Sequence, residues 1–518
     1  MSNIKLLPNQ STFFYLKLNI KNILFFIVML VAILLTLRIS ETLNFSIFQF
    51  TTFSYFTFIT LNFFFLISST ITTQKQLEII SFLEKDSWKF ISKICMANLI
   101  LMSLIVIFPV SIMFFLKNSF TMNEYLWLGI IHFFIIYYSS NFLFTVIGIS
   151  VGLTVKNNFA IVISILIFIL LIRIPYMIHP TSPFGRLFNI YDDEVFFSTN
   201  DLAGVLFNIS YLLDKLFVVL FILLIGLLIR IIVNKKKKLL NVGLISIILL
   251  SQVIVVYNYI IQKQVHHQYN EFLQNEYQIL SHKMKLNLGN KLTNESILNI
   301  KINEDTNTIQ LFLDRVFDIN EIKIDNTRFD FTRENDLLEI TGDFKKDQQH
   351  ILKITYQGKV NIVDDLGFHL FYVSPLSVNL PGDSFYWYPK TTNYPNKEIY
   401  FDVELEKKGT IFSNLAVVKE TDDKYNIRGN ASDLFLFSGQ YKVMNENEIE
   451  YVIPIGYEPS IIQMQLSSIT TREEVPNEVK KKIIDKNYSR VVMGIWPLED
   501  SSALVKVSGD TIFVRFFN

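Results

Sequence analysis

The sequence has one cysteine, Cys95, among its 518 residues, which excludes a disulfide within the chain. Charged residues are scarce at 18%, and 47 basic side chains balance 47 acidic ones. A protein that binds nucleic acid needs a basic surface, so this balance argues against such a partner. The chain also lacks the pattern G-x-x-x-x-G-K-[ST], whose backbone N–H groups hold nucleotide phosphates. We therefore expect no ATP site of that type in this chain.

Hydrophobic residues are abundant instead: they form 51% of the chain, which includes 48 phenylalanines. This composition is typical of an integral membrane protein. An amphipathic helix at the membrane interface is predicted over residues 10–22. Long apolar runs predict six spans, and a seventh follows. Their ranges are 23–37, 53–71, 90–116 with a kink at Pro109, 125–151, 159–172, 212–233 and 239–261.

A run of four lysines separates the sixth span from the seventh: Lys235, Lys236, Lys237 and Lys238. Four adjacent ammonium groups cannot enter hydrocarbon, so they mark one membrane face. With the N-terminus in the cytoplasm, most basic residues of the short loops lie inside, as the positive-inside rule requires. The sequence therefore predicts a multi-pass protein of the cell membrane with a cytoplasmic N-terminus and an extracellular C-terminal domain.

The loop between the second and third spans is amphipathic. An interfacial helix resting on lipid would explain this pattern, and so would a cytoplasmic helix that docks on a partner. The residues of the segment are Gln76, Leu77, Glu78, Ile79, Ile80, Ser81, Phe82, Leu83 and Glu84.

The layout of an interfacial helix, six spans and this amphipathic segment resembles the permease subunits of type-2 ABC exporters. The resemblance implies that Gln76 to Glu84 form the coupling helix that contacts a separate cytoplasmic ATPase subunit. ATP and Mg²⁺ would then bind that partner, and no cofactor would bind this chain. The resemblance also implies a homodimer, or pairing with a similar permease, surrounded by membrane lipid.

The second half of the chain is patterned differently. Apolar residues at helical spacing predict a helical stalk over 262–288, for example Leu273, Tyr277 and Leu280. From about residue 300 the period becomes two, as in Ile399 and Phe401, which predicts half-buried antiparallel strands. Further strands are expected over 309–313, 322–324, 338–340 and 351–356, and a hairpin near Gly509. The predicted domain is all-β and sandwich-like.

The order of these strands around Tyr386, Trp387, Tyr388 and Pro389 is similar to the N-terminal β-domain of aminopeptidase N-type zinc aminopeptidases. In those enzymes a later domain binds zinc through a His-Glu-x-x-His motif, and the glutamate acts as general base. This chain contains no His-Glu pair. The resemblance therefore implies a β-domain without peptidase activity and without a metal site.

These observations predict four parts: a six-span permease domain over 1–238, a seventh transmembrane helix over 239–261, a helical stalk over 262–288 and an extracellular β-domain over 289–518. The predicted function is the permease subunit of an ATP-driven exporter, not itself an enzyme. We expect the exported substrate to be a peptide, as in bacteriocin export or immunity. The alternative is a non-transporting membrane receptor or immunity protein whose outer β-domain binds a peptide.

Overall fold

The computed structural model describes residues 8–20, 23–41, 45–76, 87–121, 123–155, 159–178, 187, 190, 202–207, 209–233, 238–261, 264–265, 276–363, 369–391, 398–455, 457–473, 475–497 and 504–515. The chain divides into two compact units. Unit 1 comprises Met1–Val195 and Phe207–Gln262, and unit 2 comprises Phe196–Leu206 and Lys263–Asn518.

Unit 1 is helical. Its described helices are α1 (Pro8–Ile20), α2 (Ile23–Glu41), α3 (Ile47–Phe53), α4 (Tyr55–Lys75), α5 (Ser87–Ile105), α6 (Ile107–Phe115), α7 (Leu126–Thr154), α8 (Phe159–Ile178), α9 (Ile209–Val233) and α10 (Lys238–Ile261). Two short strands, β1 (Phe45–Ser46) and β2 (Phe120–Thr121), pair in parallel.

Five stretches among the described residues are helical, long and apolar enough to cross a membrane. They are Tyr55–Lys75, Ile91–Phe115, Asn123–Thr154, Tyr211–Ile231 and Asn241–Asn258. Two shorter apolar helices are Phe25–Ile39 and Phe159–Arg173. These helices are consistent with a membrane protein and lie where the sequence predicts spans.

The predicted kink at Pro109 is a break between α5 and α6. Proline has no N–H to donate, so the carbonyl of Ile105 loses its helical partner. The helix accordingly stops at Ile105 and restarts at Ile107. Across the break, the Val106 N–H still donates to the Met102 carbonyl at 2.9 Å, so the two pieces continue one another.

The centre of unit 1 is a close contact between α4 and α7. A Cβ atom placed on Gly148 would lie 2.4 Å from the Leu66 carbonyl oxygen, and one on Gly152 would lie 2.8 Å from that of Thr70. Small residues allow helix backbones to approach in this way. The Thr70 hydroxyl also lies 2.9 Å from the Ser164 hydroxyl of α8. The Thr70 hydroxyl is therefore hydrogen-bonded inside an otherwise apolar core.

Unit 2 is built mainly of strands. They are β3 (Gln264–Val265), β4 (Tyr277–Leu288), β5 (Leu292–Ile302), β6 (Thr306–Phe312), β7 (Asp318–Ile324), β8 (Thr327–Arg328), β9 (Phe331–Glu334), β10 (Leu337–Phe344), β11 (Gln349–Gly358), β12 (Asn361–Val363), β13 (His369–Val373), β14 (Val378–Pro381), β15 (Ile399–Glu406), β16 (Phe412–Ser413), β17 (Ala416–Thr421), β18 (Lys424–Ala431), β19 (Phe435–Ser438), β20 (Tyr441–Glu446), β21 (Ile449–Pro454), β22 (Arg490–Gly494), β23 (Val505–Ser508) and β24 (Thr511–Arg515).

The largest sheet of unit 2 has eight strands in the order β17-β18-β15-β4-β5-β11-β7-β8. Its neighbours are antiparallel except β15 and β4, which are parallel. A three-stranded sheet has the order β6-β10-β9, and a six-stranded sheet has the order β16-β19-β14-β13-β12-β3. The strands predicted over 309–313, 322–324, 338–340, 351–356 and 399–405 are confirmed as parts of β6, β7, β10, β11 and β15.

The prediction of a helical stalk is wrong over residues 277–288, which form strand β4. The pairing of β4 with β5 shifts register between Ile279 and Ser281. This bulge moves the buried face from odd to even positions, so Tyr277 and Ile279 are followed inward by His282 and Met284. The bulge interrupts the alternation of inward and outward residues. The apolar residues of this segment therefore fall at a spacing that also fits a helix.

The C-terminal part of unit 2 is not all-β, which modifies the predicted sandwich. Its five-stranded sheet has the order β20-β21-β22-β24-β23. Helices α11 (Pro459–Thr470) and α12 (Asn477–Ile484) connect β21 to the parallel strand β22. Parallel neighbours require such a crossover, because the chain must return to the end of the sheet at which the first strand began. The predicted hairpin near Gly509 is confirmed as the β23–β24 turn.

Candidate functional site

Strand β17 forms one edge of the eight-stranded sheet, and β18 is its only neighbour within that sheet as described. Five of its six residues are exposed, and the side chain of Val418 is 60% exposed. The pairing with β18 is regular from Ala416 to Lys419, and a register shift follows before Thr421. The flat part of the edge is therefore Ala416–Lys419. An edge of this kind presents backbone N–H and C=O groups to another extended chain.

The sheet face beside this edge is charged because β15 alternates strictly. Phe401, Val403 and Leu405 point into the core and are buried. The intervening carboxylates face outward and have polar or basic cross-strand neighbours. Asp402 pairs with Arg428 of β18 and Lys283 of β4, Glu404 with Asn426 and Lys285, and Glu406 with Lys424 and Asn287.

Several of these neighbours are in direct contact. Arg428 Nε donates to Asp402 Oδ1 at 2.7 Å, and Lys283 Nζ lies 3.3 Å from Glu404 Oε1. The amide of Asn287 donates to Glu406 at 3.1 Å. The hydrogen bond to Asp402 raises the pKa of the Arg428 guanidinium. This face therefore carries a row of carboxylates on β15 between two rows of basic and amide side chains, one on β18 and one on β4.

An open groove of about 590 Å³ lies on this face. Its lining includes Lys285 and Asn287 from β4, Glu404 and Glu406 from β15, and residues of β18. Glu420 of the edge strand also lines it, so the groove and the exposed edge adjoin. The volume lies within the range of small-ligand pockets, but the lining is mainly polar and the groove is open to solvent. This shape suits the side chains of an extended segment better than an enclosed small molecule.

The predicted family motif lies elsewhere, inside the core of unit 2. Tyr386, Trp387 and Tyr388 are all at least 97% buried. The Tyr356 hydroxyl donates to the Trp387 carbonyl at 2.9 Å. The Tyr388 hydroxyl accepts from the Leu434 N–H at 3.1 Å and lies 3.2 Å from Asp433 Oδ1. Burial raises the pKa of Tyr388 well above its usual value. These contacts give the motif a structural role in the core. Pro389 is the last residue of the motif.

The other predicted site residues are mostly outside the described part of the chain. Gln76 caps the C-terminal end of α4, and Leu77, Glu78, Ile79, Ile80, Ser81, Phe82, Leu83 and Glu84 lie outside the described residues. Lys235, Lys236 and Lys237 are also outside them, and Lys238 begins α10. The structure therefore does not test the predicted coupling segment.

The described residues contain no group of three or more His, Cys, Asp or Glu side chains that could hold a metal ion. A buried polar cluster lies elsewhere, in unit 1. His132 Nδ1 lies 2.9 Å from the Tyr211 hydroxyl. Lys215 pairs with its neighbour Asp214 at 2.9 Å, and its ammonium lies over the Tyr211 ring. Asp214 and Lys215 are each only 8% exposed.

Comparisons with known proteins give structural matches only. No family model matches the chain, and no curated protein matches it. A mutant M1 zinc metallopeptidase from Deinococcus radiodurans is similar at 11% identity and a TM-score of 0.34, over 48% of this chain and 62% of that one. Native yeast LTA4 hydrolase is similar at 13% identity and a TM-score of 0.31, over 46% of this chain and 40% of that one. The matches thus span less than two thirds of either protein.

The C-terminal β region resembles the M1 zinc aminopeptidase and LTA4 hydrolase domain at low identity. The prediction of a permease subunit of an ATP-driven exporter, with export and transport as its activity, is wrong: the similar structures are peptidases and hydrolases, and nothing in the comparisons supports transport. The prediction that the chain is a transporter subunit and not itself an enzyme is wrong for the same reason, since the matched structures, over about half of this chain, are zinc metallopeptidases and LTA4 hydrolase. Membrane insertion is supported by the apolar helices alone.

Proposed function

We propose that this chain is a membrane-anchored, peptidase-related protein whose unit 2 holds an extended polypeptide along the edge of strand β17. The observation that carries the proposal is the exposed, regular stretch Ala416–Lys419 beside a charged groove. Added strands gain affinity from main-chain hydrogen bonds and specificity from alternate side chains. The described residues supply the holding surface, and a hydrolytic step is not assigned to them.

The charge pattern of the groove limits the kind of polypeptide that would bind. Its carboxylates on β15 are flanked by basic and amide side chains on both sides. A strand added beside β17 would lie closest to the row on β18, because β17 and β18 separate it from β15. The side chains on the groove side of the added segment, which repeat every second residue, would meet the basic and amide side chains of β18 first, so acidic or polar residues at these positions would match.

The proposal also places unit 2 on the extracellular side of the membrane. Unit 2 contains residues 196–206 as well as 263–518, and α9 and α10 are the two apolar helices between these stretches. Two crossings return a chain to the side from which it started. The lysines at 235–238 lie between the helices and mark the cytoplasmic side by the positive-inside rule. Unit 2 would therefore face the cell exterior.

The test is peptide selection on the full-length protein in detergent micelles. Random peptides from a display library are enriched on the wild type, and the best binder is then titrated against variants. We expect Val418→Lys to weaken binding by about tenfold or more, equal to about 1.4 kcal/mol, because an exposed edge lysine disfavours strand addition. The matched control is Val443→Lys. Val443 is also exposed, at 46%, on β20, which is the edge of a different sheet. Failure to enrich any peptide, or equal loss in both variants, contradicts the proposal.

A further inference from the structure

An apolar groove of about 310 Å³ lies on unit 1 between α5, α7 and α9. On α5 it is lined by Cys95, Met96 and Leu99, which share one helix face. Phe142 and Val146 of α7 form its floor, because Val146 is buried. Met96 is 53% exposed, so the groove opens to the surroundings of the helices. If these helices span a bilayer, as their length and composition allow, those surroundings are acyl chains.

Gly226 on α9 keeps the groove open. A Cβ atom placed on this glycine meets no other heavy atom within 4 Å. The absence of a side chain therefore does not serve close helix packing, in contrast to Gly148 and Gly152 on α7. It leaves a gap on the surface of α9 at the position that lines the groove.

One end of the groove carries positive charge. Arg230 is the only charged side chain among the described lining residues, and it follows Gly226 by one helical turn. It lies in the last turn of α9, where a spanning helix reaches the level of lipid head groups. In sequence, the four lysines at 235–238 follow closely. Basic side chains at such positions attract anionic lipids, whereas a neutral head group offers no matching net charge.

We propose that this groove binds an anionic phospholipid, with one acyl chain along α5, α7 and Gly226 and the phosphate at Arg230. The mainly apolar lining matches hydrocarbon, and the cation at one end matches the head group. The site is independent of strand β17 and of any polypeptide ligand. The occupant is a lipid of the surrounding membrane, since the groove opens to the side.

The experiment is native mass spectrometry of the full-length protein, titrated in detergent with dioleoyl phosphatidylglycerol or dioleoyl phosphatidylcholine. Gly226→Leu fills the groove, and Arg230→Gln removes the charge but keeps the apolar lining. The matched control is Gly243→Leu on α10, because a Cβ atom placed on Gly243 also meets no heavy atom within 4 Å and this glycine does not line the groove. The milder variant Gly226→Ala is measured alongside, in case leucine impairs folding.

We expect the wild type to retain the anionic lipid in preference to the neutral one. Arg230→Gln should lower that preference about fivefold, the factor for about 1 kcal/mol per basic side chain near an anionic surface. Gly226→Leu should reduce retention of both lipids, Gly226→Ala less so, and Gly243→Leu should behave as the wild type. Equal retention by Gly226→Leu and Gly243→Leu, or an unchanged lipid preference in Arg230→Gln, overturns the proposal.

Discussion

The carbonyl oxygen of Leu202 accepts a hydrogen bond from the backbone N–H of Gln440 at 2.9 Å. Leu202 is fully buried in the core of unit 2, although it precedes α9 in the chain and lies more than two hundred positions before Gln440. Ala203 and Leu206 pack with Tyr372 in the same unit. A short stretch between two membrane-type helices is therefore an integral part of the β-rich unit.

Gly439 makes this contact possible. Its φ angle is +153°, and a Cβ atom there would lie 2.1 Å from the Leu202 carbonyl oxygen. We expect Gly439→Ala to displace residues 202–206 and to lower the free energy of unfolding by about 1–3 kcal/mol. Hydrogen exchange of peptides covering 202–206 measures the effect. Gly289→Ala is the control, because its nearest heavy atom is 3.7 Å away. Unchanged exchange in Gly439→Ala would show that the stretch is held by other contacts.

His282 makes the stability of unit 2 dependent on pH. Burial lowers its pKa from 6.5 to about 3, and its ring contacts Ser296, Tyr388 and Phe401. Between these two pH values the unfolded chain binds a proton that the folded chain does not. Stability is therefore fully present above pH 6.5 and falls on acidification, by up to about 1.4 kcal/mol per pH unit from this group.

Denaturant unfolding at several pH values measures this slope. His282→Gln retains a side-chain amide that can bond Ser296 but has no group that titrates in this range. We expect the variant to show a flatter dependence than the wild type between pH 3 and pH 6.5. An identical slope in both proteins would mean that other groups cause the acid sensitivity.

Tyr388 tests the structural role of the predicted family motif. Its hydroxyl accepts the N–H of the fully buried Leu434. Tyr388→Phe leaves that N–H without its acceptor, and an unsatisfied buried donor costs about 1–3 kcal/mol. We expect the free energy of unfolding to fall by this amount. Tyr400→Phe serves as the comparison, since Tyr400 is 45% exposed and should be nearly neutral. Equal effects of both substitutions would argue against the motif as a core anchor.

The contact between His132 and Tyr211 joins α7 to α9 within unit 1. Tyr211→Phe removes the hydroxyl and should destabilise the unit by about 0.6–1 kcal/mol, the usual worth of such bonds between membrane helices. The thermal midpoint in detergent is the readout. Tyr257→Phe on α10 is the matched substitution, because Tyr257 is 63% exposed. A thermal midpoint unchanged by Tyr211→Phe would show that apolar packing, and not this hydrogen bond, holds α7 and α9 together.

Local patterns in the sequence predicted local structure well. The alternation at Ile399 and Phe401 places strand β15 and its outward carboxylates correctly, and the missing N–H of Pro109 locates the helix break. The strand partners were not predictable, because the basic residues opposite Asp402 come from two distant strands. Strand β17 was not predicted, although two consecutive valines, Val417 and Val418, followed by an Asp-Asp turn indicate a strand. The contact of Leu202 is equally non-local.

Labelling of a single cysteine at position 418 tests both the membrane side of unit 2 and peptide binding at β17. Replacing Cys95 with serine gives a cysteine-free background, since the chain has no other cysteine. In that background, Val418→Cys and Val443→Cys are treated in intact cells with a membrane-impermeant maleimide, with and without the selected peptide. We expect both cysteines to be labelled from outside and the peptide to slow labelling at position 418 alone. Labelling of both only after permeabilisation, or labelling at position 418 that the peptide leaves unchanged, would contradict this expectation.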